Sequence, residues 1–165
     1  MKHIKAGKIL IVAMVCAFAC MSLFACSASD ESAEKAEANR QYMALLNSEM
    51  ADMQTVMDDF ETAVSEENVV AMRSQLDKAT EVLATIEESQ ATEDLSETRD
   101  QYVNALVTLN DAMDEYVDLF AGVQDGSLSS QDLEEGLEGV QEKYDSGIEK
   151  LKAADEAVAK LGQED

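Results

Sequence analysis

Proline is absent from this 165-residue chain, cysteine and histidine are scarce, and where the few of these two fall decides much of its chemistry. The three cysteines, Cys16, Cys20 and Cys26, all lie at or before position 26, and the single histidine is His3. Residues 27–165 therefore offer no disulfide, no thiolate nucleophile and no Cys/His zinc site. They also lack the histidine that a Ser-His-Asp triad or a Glu-x-x-His di-iron bundle requires. General acid–base and nucleophilic catalysis lose their commonest agents, so the expectation is a protein that is not an enzyme and holds no cofactor or metal.

Positive charge is short as well. Three of the 12 basic residues sit at Lys2, Lys5 and Lys8, which leaves nine against 35 acids beyond position 25, a net charge of −26. Nucleic acid is excluded as a partner, because binding it depends on Lys and Arg displacing counterions. Anionic lipid headgroups would repel such a body too. An acidic, solvated coat is the plain reading, with cations or basic partners as the alternative.

The first 26 residues carry the most specific pattern. A lysine-bearing start is followed by Ile9 to Phe24, apolar apart from Ser22, and the run stops at Ala25-Cys26 before Ser27-Ala-Ser-Asp-Glu-Ser. A basic start, an apolar middle and a small residue at the junction make a secretory signal. Leu23-Phe24-Ala25-Cys26 resembles the lipobox of the bacterial lipoprotein class, with Phe24 where a smaller residue is usual. Ala17-Phe18-Ala19-Cys20 is a weaker second match. The resemblance implies cleavage after Ala25 and a diacylglyceryl thioether on Cys26. It implies a mature protein held at the outer face of a membrane by its lipid. The alternative is an uncleaved anchor, since 18 residues span about 27 Å as a helix. The expected organisation is a leader (1–25), a lipidated Cys26 with a polar tether (26–38) that can run on into the first helix, and an acidic helical domain (39–165).

Within that domain there is no proline and no alternating strand pattern; apolar residues recur at steps of three and four. Met43, Leu46, Met50, Met53, Met57, Phe60 and Val64 form an unbroken heptad seam. A second stripe is Val69, Met72, Leu76, Ala79, Leu83 and Ile86. A third runs through Leu95, Tyr102, Leu106, Leu109, Met113, Tyr116 and Phe120, with Thr98 or Arg99 in the gap. The fourth is Leu133, Leu137, Val140, Tyr144, Ile148, Leu151, Val158 and Leu161. Ser65 and Thr92 are the expected caps of the second and third helices, and Ser129 with Asp132 makes a capping-box pair for the fourth. Four stripes joined by short links predict an all-α, antiparallel up-down-up-down four-helix bundle; a long coiled-coil hairpin, single or self-associated, is the alternative.

Three features invite a functional reading. The methionines at 50, 53 and 57 could hold Cu(I) or line an apolar groove, but they sit on core positions, so packing is expected. Residues 121–132 resemble the second half of an EF-hand loop, with Asp125, Gly126, Leu128 and Asp132 at the fifth, sixth, eighth and twelfth places. Ala121 and Val123 occupy the first and third places and bring no oxygen, so a capped turn is expected instead. Acid groups at 58–61, 111–118 and 134–142 share helix faces, yet nothing marks a pocket that would shift one pKa. The expected function is a membrane-anchored, extracytoplasmic interaction or spacer module. The alternative is an envelope protein that binds a hydrophobic or cationic ligand at the Met-rich first stripe or on its acidic surface. A groove of roughly 300 Å³ or more along the first helix would favour it.

Overall fold

Four helices follow from the four stripes. A computed structural model describes residues 30–161, with side chains from 33 to 160, as α1 (Asp30–Ser65), α2 (Val69–Glu88), α3 (Ser96–Asp125) and α4 (Ser130–Leu161). A 3-10 turn, Glu93–Leu95, leads into α3, and there is no strand among the described residues. The expected leader, the expected cleavage site at Ala25 and the expected lipid attachment at Cys26 lie outside the described residues. α1 takes in residues 30–38, so most of the segment expected as a tether is helical.

The links close by local chemistry. At the end of α1 the Glu67 N–H donates to the Val64 carbonyl at 3.1 Å and the Asn68 N–H to the Ala63 carbonyl at 2.9 Å. This is a Schellman closure, and it puts Glu67 at φ 56°, the left-handed region where glycine is favoured. Asn68, rather than Ser65, then caps α2: its side-chain oxygen accepts from the Ala71 N–H at 3.1 Å. Ser65 instead donates back to the Thr62 carbonyl at 2.8 Å, so the expected serine cap is corrected by one turn of chain. Thr92 precedes the 3-10 turn without a side-chain cap and donates its hydroxyl to Asn39 Oδ1 of α1 at 2.5 Å. α3 ends at Gly126, whose φ of 82° reverses the chain at no steric cost.

Most of each expected stripe is buried, together with flanking positions, while Val69, Phe120, Leu137, Tyr144 and Ile148 are half-buried at its edge. In α1 the seam is Leu46, Met50, Met53, Met57, Phe60 and Val64, joined by Val56 and Ala63, with Tyr42 deeper than Met43. In α2, Val82 is buried and Leu83 half-buried. In α3 the gap is filled by Thr98, whereas the half-buried Arg99 pairs with Asp100 at 2.8 Å. α3 also buries Ala105, Ala112 and Val117, so it presents a broad face instead of a narrow seam. A single apolar cluster draws on all four helices, and they pack against one another around it.

α3 and α4 are the most closely packed pair, and two glycines explain it. A β-carbon at Gly147 would lie 2.6 Å from Leu109 Cγ and 3.2 Å from its backbone nitrogen. One at Gly136 would lie 2.6 Å from both δ-carbons of Leu119. The bare backbone of α4 thus receives two leucine knobs from α3. Gly139 differs, because a β-carbon there would meet only Glu115 Oε1 at 3.9 Å.

Side-chain contacts fix which ends lie together. Lys35 of α1 pairs with Asp94, just before α3, at 2.8 Å, and Tyr102 near the start of α3 donates to Asp155 near the end of α4 at 2.5 Å. Toward the opposite end, Arg73 of α2 pairs with Asp118 of α3 at 2.9 Å, and Lys143 of α4 with Glu115 of α3 at 2.5 Å. There too the Phe60 and Tyr116 rings meet edge-on at 6.1 Å, while Tyr116 and Phe120 stack at 6.2 Å.

Candidate functional site

The methionine run is packed. Met50, Met53 and Met57 are 3%, 4% and 7% exposed and belong to the common core cluster. Thioethers in that position fill irregular space between helices and leave no open ligating face. No helix among the described residues is long and apolar enough to cross a membrane.

Residues 121–132 divide between the end of α3, a tight reversal and the start of α4. Asp125 Oδ1 accepts the Ser127 N–H at 2.9 Å, and the Leu128 N–H returns to the Gly122 carbonyl at 2.9 Å. Asp132 Oδ2 accepts from both the backbone N–H and the hydroxyl of Ser129, at 2.8 and 2.7 Å. The Asp132 N–H donates in turn to Ser129 Oγ at 3.2 Å, which completes the capping box that the spacing predicts. These bonds hold the carboxyls of Asp125 and Asp132 below the usual aspartate range, with Ser127 and Ser129 as the respective causes. Both oxygens that resemble calcium ligands are therefore engaged in turning the chain.

The acid clusters lie on solvated faces. Asp58, Asp59 and Glu61 are exposed on α1, and Glu134, Glu135, Glu138 and Glu142 on α4. Asp111, Asp114, Glu115 and Asp118 follow one stripe of α3, where they line an open groove of about 420 Å³ with Leu119, Leu128 and Lys143. The groove runs along α3, the 126–129 link and α4, away from the methionines of α1. Glu115 in it is paired to Lys143 and Asp118 to Arg73, both exposed ion pairs of small energetic weight. The described residues contain no group of three or more His, Cys, Asp or Glu side chains placed to hold a metal ion.

The four tyrosines lie on or beside the core stripes in the sequence, which assigns them no chemistry beyond packing. Burial, and next the Asp155 carboxylate that accepts its hydroxyl, push the Tyr102 phenol far above its ordinary value. Burial likewise raises Tyr42 and Tyr116. These shifts keep the rings neutral, so they serve packing and one interhelical bond; none has the lowered pKa of an activated nucleophile. Comparison with protein-family models, curated protein sequences and solved structures finds no match to this chain.

Proposed function

We propose that this chain is a lipid-anchored, non-enzymatic helical module that works as a spacer or interaction platform on the outward side of a bacterial membrane. Its helices run up-down-up-down in this reading, and its attachment is a diacylglyceryl group on Cys26 after cleavage at Ala25. The observation that carries the proposal is the position and fixing of α1. That helix starts at Asp30, four positions beyond Cys26, and continues to Ser65. Near its start it touches the segment before α3 through the Asn39–Thr92 hydrogen bond and the exposed, weak Lys35–Asp94 pair, and from Tyr42 onward its apolar face is in the core.

A helix of 36 residues is about 54 Å long at 1.5 Å per residue. With so short a connection, a lipid on Cys26 would be coupled to the bundle itself and not to a long flexible leash. Such a module holds its 66–68 and 126–129 links at the end away from the anchor, about 50 Å out. Burial of Met50, Met53 and Met57 speaks against the rival reading in which the first stripe holds a hydrophobic ligand.

Replacing Cys26 by serine tests the attachment. The native chain is expected to begin at Cys26 and to carry a diacylglyceryl mass there, whereas the Cys26→Ser protein is expected to carry no lipid and to keep its leader. A native chain that keeps residues 1–25 and carries no lipid would instead favour an uncleaved apolar anchor. Crosslinking in native membranes with mass spectrometry then identifies the neighbours, and crosslinks clustered at the two distal links are the expected pattern.

A further inference from the structure

We draw no further inference here: the strongest candidate, the open groove of about 420 Å³ between α3 and α4, is a solvated cluster of Asp111, Asp114, Glu115 and Asp118 with the chain's own Lys143 beside it, and nothing in the structure points to a ligand for it.

Discussion

Gly136, Gly139 and Gly147 look equivalent in the sequence, three breaks in helix propensity within twelve residues, yet their surroundings differ. An alanine at 147 or 136 must displace the leucine that occupies the β-carbon position, at 2.6 Å in each case. Overpacking of this kind typically costs about 1–3 kcal/mol, which outweighs the gain of up to about 1 kcal/mol from helix propensity. At 139 only the gain remains. Urea unfolding should therefore rank Gly139→Ala above the native chain and Gly147→Ala below it, with Gly136→Ala between the two. The half-buried Leu119 can turn its methyls aside, whereas Leu109 is buried and also presents its backbone. Equal stabilisation by all three would mean that α4 does not approach α3 this closely. In the sequence the three glycines fit either a close helix–helix approach or a locally soft segment, and the pattern does not choose between them. A close approach is a property of the partner's knob, and Leu109 and Leu119 are read as core residues of another helix. The tyrosines give a second residue-scale expectation. Tyr102, Tyr42 and Tyr116 all hold their protons more tightly in the folded state than at the ordinary value of 10.0. A raised folded-state pKa gives stability that is fully present below the unfolded value and is lost as pH rises beyond it. Thermal melts should hardly respond to tyrosine ionisation at pH 8–9 and should fall steeply above about pH 10. Tyr102→Phe should flatten that alkaline slope without removing it, because Tyr42 and Tyr116 remain. A slope identical to that of the native chain would show that Tyr102 ionises freely.

Helix existence was readable from periodicity, whereas helix edges depended on chemistry that the pattern understates. Ser65 and Asn68 both qualify as caps by residue type, and three residues separate them. Backbone closure decides between the two. The bonds from Glu67 and Asn68 back to Val64 and Ala63 end α1 first, and only Asn68 is left with its side chain over the new helix. Asn68→Ala should then cost about 1 kcal/mol, the usual loss of an N-cap. Ser65→Ala should stay within about 0.5 kcal/mol, as for an ordinary surface position. A chemical-denaturation series on the two variants checks this, and the reverse order would restore the serine cap. The width of each buried face was the other part the pattern missed. Heptad steps find Leu106, Leu109 and Met113, but Ala105, Ala112 and Val117 are buried as well. α3 has α2 on one side and α4 on the other, and a one-dimensional pattern does not say how many neighbours a helix serves. Where α1 meets solvent the exposed acids mark the boundary clearly. Where α3 meets α4 small residues mark it, and alanine reads as neutral.

For the molecule as a whole, the dominant quantity is the excess of acids, 35 against nine bases beyond position 25. The few ion pairs seen, such as Arg73–Asp118 and Lys143–Glu115, are exposed and weak, so screening them costs little. Screening the unbalanced acids relieves repulsion over distances of about 8–10 Å at physiological ionic strength. The two effects have opposite signs, and the numbers of charges decide between them: added salt should stabilise the fold. Relief of about 1 kcal/mol corresponds to a rise in melting temperature of about 4 °C for a domain of this size. Raising sodium chloride from about 10 mM to about 500 mM should produce a shift of at least that order, given a screening length that contracts several-fold. Potassium chloride should act equally, since nothing in the mechanism distinguishes the ions. Calcium separates this bulk effect from a specific site. Asp125 and Asp132 are already engaged by Ser127 and Ser129, while Ala121 and Val123 offer no side-chain oxygen. Micromolar calcium at constant ionic strength should therefore leave the melting temperature unmoved. A calcium-specific rise at that concentration would mean that the turn between α3 and α4 opens to bind the ion, and the reading of residues 121–132 as a capped reversal would fall with it.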